Sequence, residues 1–86
     1  MDKFRVTPIE YDGKRMRSYE LDASTAEIAV RCDMCLYTIG TLFLVENLTT
    51  KSVEWFRKIR SDYVAVADLE KLNEQDILNI LYRTTR

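Results

Sequence analysis

A tight turn near the start of the chain constrains the fold more strongly than any other local feature. Asp12-Gly13 is the kind of dipeptide that a two-residue type I′ turn prefers, because both central residues of that turn need positive φ angles. We therefore predict a β-hairpin over residues 3–21. The turn also sets the register, which pairs Phe4 with Leu21, Arg5 with Glu20, Val6 with Tyr19, Ile9 with Met16 and Glu10 with Arg15.

This register sorts the hairpin into two faces, because successive side chains of a strand point in opposite directions. Ile9 and Met16 form an apolar pair on the outer face. Pro8 has no N–H to donate, so we expect the first strand at a sheet edge. The side chains assigned to the core are Phe4, Val6, Tyr19 and Leu21.

Residues 24–39 predict a helix. Ser24 and Glu27 have the spacing of a capping box at its start, and Gly40 follows its end. Apolar and polar residues also alternate over residues 27–33, so a strand remains an alternative there. The stripe assigned to the core contains Ile28, Cys32, Cys35, Leu36 and Ile39.

A second apolar stripe, formed by Val30, Met34 and Tyr37, lies on the opposite side of that predicted helix. A surface helix normally carries charged residues there. Met and Tyr are enriched at protein interfaces. The second stripe is therefore either buried between layers or a surface that binds a protein, a second copy of this chain included. Ile9 and Met16 form a second candidate surface of the same kind.

The middle of the chain leaves one element open. Residues 42–45 are a continuous apolar run, which predicts a central strand. Residues 51–60 fit two interpretations. The first is a helix capped by Thr50, and the second is a strand that forms a hairpin with residues 42–46. The helix is our prediction.

The last part of the chain predicts a strand at residues 63–67 and a helix capped by Asn73. The element order predicts a single domain over residues 1–86, of the α+β class. We expect a small two-layer domain, in which two or three helices pack on a mainly antiparallel sheet that begins with the hairpin. The side chains expected to face inward from the last helix are Ile77, Leu78, Ile80 and Leu81.

The residue types argue against catalysis by the common routes. The chain contains no histidine, which excludes Ser-His and Cys-His nucleophile pairs, and its two glycines cannot form a glycine-rich phosphate loop. Cys32 and Cys35 have the C-x-x-C spacing but supply only two of the four ligands that zinc requires. We interpret both thiols as buried apolar groups. The expectation is no enzyme, no cofactor and no metal.

The balance of acidic and basic residues limits the classes of binding partner that we expect. Thirteen basic and fourteen acidic residues give a net charge of −1, which provides no general attraction to nucleic acid or to an anionic membrane. The low cysteine count and the absence of a signal-peptide pattern predict a cytoplasmic location. A local basic surface beside Trp55 and Phe56 remains an alternative, formed by Lys14, Arg15, Arg17, Arg57, Lys58 and Arg60.

Taken together, these patterns predict a small non-enzymatic protein–protein interaction module of the adaptor, regulator or inhibitor type. A homodimer is one form that such a module takes. The alternative is a nucleic-acid-binding regulator that uses the basic and aromatic residues.

Overall fold

The computed structural model describes residues 1–10, 13–31, 37–59 and 69–84, with side chains as far as residue 80. Five strands and two helices lie within these ranges, which confirms the predicted α+β class. The strands form one antiparallel sheet in the order β2-β1-β3-β4-β5. In chain order the elements are β1 (Asp2–Ile9), β2 (Tyr19–Ala23), α1 (Ala26–Arg31), β3 (Leu42–Asn47), β4 (Val53–Lys58), β5 (Leu69–Lys71) and α2 (Glu74–Thr84).

The base of the N-terminal hairpin has the predicted register. Phe4 pairs with Leu21, Arg5 with Glu20, and Val6 with Tyr19. The Arg5 guanidinium donates a hydrogen bond to the Glu20 carboxylate at 3.3 Å, so the expected cross-strand ion pair forms.

The tip of the hairpin differs from the prediction. The Glu10 N–H donates to the Lys14 carbonyl at 2.9 Å, and the Gly13 N–H donates to the Glu10 carbonyl at 2.8 Å. These bonds enclose a three-residue loop rather than a two-residue turn, with Gly13 at a φ of 91°. Ile9 consequently pairs with Arg15, and the predicted Ile9–Met16 pair is wrong.

Pro8 lies in an internal strand, which corrects its predicted place at an edge. The Lys3 carbonyl accepts from the Leu48 N–H on the β3 side, so by strand alternation the backbone of Pro8 faces β2. The Pro8 carbonyl accepts a hydrogen bond from the Met16 N–H, and the side chain of Thr7 contacts that of Ser18. Arg17 lies between these two contacts and has no residue opposite it on β1, so it is the extra residue of a bulge. The missing N–H of proline therefore falls at a bulge, where no ladder bond is lost.

Residues 53–58 are a strand, so the predicted helix over residues 51–60 is wrong and the alternative hairpin with β3 is correct. Asn47 organises the connecting turn. Its side-chain oxygen accepts from the N–H groups of Thr49 at 2.9 Å and Thr50 at 3.0 Å, and its own N–H donates to the Ser52 carbonyl at 2.8 Å. Lys51 closes the turn with a φ of 67°.

Helix α1 begins one residue later than predicted. Thr25, not Ser24, is the N-cap, since its hydroxyl oxygen accepts from the Ile28 N–H at 3.2 Å. The face that packs on the sheet contains Ala26, Ala29 and Val30. Ile28 is 47% exposed, so the predicted assignment of the core stripe is reversed.

The sheet carries one helix on each face. On the inner face, α1 packs over a cluster that includes Phe4, Val6, Phe43, Val45 and Phe56. Strand alternation places Ile9 and Leu42 on the outer face, where they form a second cluster with Leu72, and Ile77 and Ile80 of α2 pack against it. Neither the predicted two-layer arrangement nor a third helix is confirmed.

Helix α2 begins as predicted. The Asn73 side chain accepts from the Asp76 N–H at 2.9 Å. Leu78 is exposed rather than inward-facing, and Ile39, which was assigned to the core stripe, is exposed as well. The predictions that lie outside the described residues are the strand over residues 63–67 and the positions of Cys32, Met34, Cys35, Leu36, Arg60 and the Leu81 side chain.

Replacing Asn47 by Ala tests the turn between β3 and β4. Two N–H groups lose their acceptor, and Asp2 loses the bond that the Asn47 amide donates at 3.0 Å. We expect the free energy of unfolding to fall by about 1–3 kcal/mol in urea denaturation. Asn79→Ala, on the exposed side of α2, is the control and should change stability by less than about 0.5 kcal/mol. Equal effects of the two substitutions would contradict this role of Asn47.

A pair of alanine substitutions in α1 tests which side of the helix is buried. Val30 is fully buried, whereas Ile28 is half-exposed. Val30→Ala should lower the free energy of unfolding by about 2 kcal/mol, and Ile28→Ala should change it by less than about 0.5 kcal/mol. A larger loss for Ile28→Ala would restore the assignment predicted from the sequence.

Candidate protein-binding surface

The two described residues of the apolar stripe predicted as a candidate binding surface, Val30 and Tyr37, pack into the core instead. Val30 is fully buried in the inner cluster. Tyr37 packs edge-on against Phe43, with ring centroids 5.4 Å apart and an interplanar angle of 81°. Two of the three residues therefore stabilise the core, and the third, Met34, lies outside the described ranges.

The hairpin surface predicted from Ile9 and Met16 does not form either. Ile9 is buried in the outer cluster beneath α2. Met16 is exposed, and Arg15 occupies the position opposite Ile9 that was predicted for Met16. The one-residue change at the loop separates the two side chains, because it places them on different cross-strand positions.

The predicted basic residues are not gathered into one surface. Lys58 is buried, and its ammonium group donates to the Tyr37 carbonyl at 2.7 Å. Arg57 forms an ion pair with Glu70. Lys14, Arg15 and Arg17 are exposed on the hairpin, and Arg60 lies outside the part of the chain that the structure describes.

Within the described part of the chain, α2 packs on the outer face at one end of the sheet, around Ile9, Leu42 and Leu72. Beyond that end lie four neighbouring side chains of β3 and β4, which we name the open patch: Leu44, Glu46, Val53 and Trp55. Leu44 pairs directly with Trp55, and Glu46 pairs with Val53. Val53 is 52% exposed, and the other three are partly exposed. The open patch thus combines three apolar side chains with one carboxylate.

Glu46 is the one charged member of the open patch. Arg5 lies opposite it across the β1–β3 ladder, but the Arg5 guanidinium binds Glu20, and Lys3 also lies 3.8 Å from Glu20. Within the described ranges the Glu46 side chain has no hydrogen bond or ion pair. A partly buried carboxylate without a partner favours the approach of a cation.

The edge strand β2 does not favour pairing with a second copy of this chain. Glu20 and Asp22 share its outer face, since Ala23 and Leu21 alternate with them. Antiparallel pairings of β2 with itself that centre on Glu20, Leu21 or Asp22 place one of these carboxylates opposite another in the partner. Like charges directly opposite each other are destabilising, and charged edge strands resist such association.

A cavity of about 240 Å³ opens on the inner face, between α1 and the β4–β5 edge. Its charged lining is already paired, because Lys71 lies 2.6 Å from Glu54 and Glu27 binds Arg31. The hydrogen bond to Glu54 raises the pKa of Lys71 above its usual value. The charged side chains that line this cavity therefore already have ionic partners.

Two findings concern other kinds of site. Among the residues that the structure describes, no group of three or more potential ligands is placed to hold a metal ion. None of the helices there is long and apolar enough to cross a membrane.

Comparison with known protein families, with curated proteins and with solved structures finds no match.

The open patch was not predicted from the sequence, because residues 51–60 were interpreted as a helix. The signal for it is the alternation of Val53, Trp55 and Arg57 with Glu54, Phe56 and Lys58. With a period of two, the first three residues share one face. A helix would have grouped Trp55 with Phe56 instead.

Replacing Lys58 tests whether this cation stabilises the fold rather than binding a ligand. Its buried stem and its bond to the Tyr37 carbonyl would both be lost in Lys58→Ala. We expect a loss of about 1–3 kcal/mol in the free energy of unfolding. The exposed Lys3→Ala should cost less than about 1 kcal/mol. A fully stable Lys58→Ala would contradict the structural role.

Proposed function

We propose that this protein is a non-enzymatic protein-interaction module, of the adaptor, regulator or inhibitor type. It binds an amphipathic segment of another protein on the open patch. The observation that supports this most directly is the full or partial exposure of Val53, Leu44 and Trp55 beside α2, on a part of the outer face that no other described element covers. The cytoplasmic location predicted from the low cysteine count is part of the proposal.

The apolar residues supply the driving force for binding. Trp is strongly enriched among the residues that dominate protein interfaces, and Trp55 lies at the border of the open patch with α2. A partner helix laid beside α2 would bury Leu44, Val53 and the exposed part of Trp55. Sheet faces in α+β domains are commonly covered by helices in this way.

The carboxylate supplies selectivity. Glu46 has no ionic partner in the described part of the chain and stands beside Val53. A Lys or Arg of the partner segment that reaches Glu46 would form a charge-assisted hydrogen bond in a partly desolvated place. The partner is therefore a helix with an apolar face and a basic residue at its border.

A foreign chain is the occupant we favour over a second copy, since the charged member of the open patch is a carboxylate, and the same patch of a second copy offers no cation to pair with it. Nucleic acid is less well supported, because Lys58 is buried and Arg57 is paired with Glu70. Three exposed cations on one hairpin are a small footprint for phosphate binding.

The test uses two designed helical peptides with the same leucine face and no tryptophan. One peptide carries Lys at all positions outside the leucine face, and the other carries Glu at the same positions. Trp55 is the single tryptophan of the protein, so its emission reports binding at the open patch. We expect the Leu/Lys peptide to bind more tightly, and Val53→Asp to weaken it by at least about tenfold.

The control for Val53→Asp is Ile28→Asp, since Ile28 is equally exposed but lies on α1, over the inner face. It should leave peptide affinity unchanged. Glu46→Lys should reverse the preference between the two peptides. Equal binding of both peptides, or equal effects of Val53→Asp and Ile28→Asp, would refute the proposal. A dimer in light scattering that Val53→Asp dissociates would assign the open patch to a second copy and also overturn it.

A further inference from the structure

A small cavity lies between α2 and the outer face of the sheet, next to the open patch, with which it shares Trp55. Its volume is about 80 Å³. Two residues of the hairpin loop, Gly13 and Arg15, border it. The rest of the lining is apolar and consists of Ile9, Leu42, Trp55, Leu72, Ile77 and Ile80.

The dimensions of the cavity suit a ligand of ring size. A volume of about 80 Å³ holds roughly five to eight water-sized groups. Water makes few hydrogen bonds to the apolar part of the lining, so an apolar molecule that displaces it gains free energy. Apolar pockets with one well-placed polar group are the usual form of small-molecule sites.

Arg15 is that polar group. It is exposed, it pairs with Ile9 only through the backbone, and its guanidinium has no ion pair within the described ranges. Two other arginines on this face, Arg5 and Arg57, form ion pairs with Glu20 and Glu70. A guanidinium presents a planar pair of donors, which matches the two oxygens of a carboxylate.

We propose that this cavity binds a small carboxylate, whose apolar ring fills the space under α2 and whose charge pairs with Arg15. The three-residue loop creates the site. It brings Arg15 opposite Ile9, at the place where the predicted two-residue turn would have put Met16. Gly13, which has no side chain and a φ of 91°, borders the cavity without filling it.

The experiment is a titration with cyclohexanecarboxylate, which has no aromatic chromophore and therefore neither absorbs nor emits where Trp55 is measured. Trp55 lines the cavity and is the only tryptophan, so saturable changes in its emission report binding, and calorimetry provides an independent measurement. We expect a dissociation constant below about 1 mM. Cyclohexylmethanol, the neutral analogue, should bind at least about tenfold more weakly.

Arg15→Gln should weaken carboxylate binding by about tenfold or more and leave the alcohol unaffected. Arg17→Gln is the matched control, because Arg17 is an exposed arginine of the same hairpin that does not line the cavity. Ile77→Phe, which fills the cavity, should weaken both ligands. Both arginine variants change exposed side chains, so the comparison stands even if Ile77→Phe does not fold.

No saturable binding of the carboxylate would overturn this proposal, and so would equal affinities for the acid and the alcohol. An Arg15→Gln variant that binds as well as Arg17→Gln would overturn it too. The peptide test of the open patch is separate. Val53→Asp should leave cyclohexanecarboxylate binding unchanged, and Arg15→Gln should leave peptide binding unchanged, so failure of one proposal does not decide the other.

Discussion

Strand β3 is the element on which the rest of the structure depends. It pairs with β1 on one side and with β4 on the other, and Phe43 and Val45 on its inner face are buried in the main cluster. A strand in this position needs hydrogen-bonding partners along both edges, since unpaired buried N–H and C=O groups are costly. That requirement decides how residues 53–58 fold, because they lie one short turn away and supply the second partner.

Once β4 is a strand, the positions of both candidate sites follow. Alternation sends Phe56 and Lys58 to the inner face and Val53 and Trp55 to the outer face. The hydrocarbon stem of Lys58 is then buried, and its ammonium group binds the Tyr37 carbonyl instead of extending into solvent. Trp55 borders both the open patch and the cavity under α2. On the outer face, Trp55 therefore marks the boundary between the part that α2 covers and the open patch.

The two proposals use this face differently. The open patch combines apolar side chains with the Glu46 carboxylate, which suits a protein segment. The cavity lies under α2 and has the Arg15 guanidinium at its border, which suits a small anion. Neither charge has an ionic partner among the described residues, so in each proposal the ligand supplies one in a partly dry environment.

Local sequence determined the features whose causes are local. The hairpin base, the Asn73 cap of α2 and the strand at β3 were predicted, because turn residues, caps and continuous apolar runs act within a few residues. Tertiary structure decided the rest. Whether Val30 or Ile28 of α1 is buried depends on which side the sheet occupies, and residues 53–58 become a strand because β3 needs a partner. Both candidate sites depend on these choices: β4 forms the open patch, and the hairpin loop places Arg15 beside the cavity. The pattern of residues within each segment leaves such alternatives nearly equal, and contacts between distant segments choose among them.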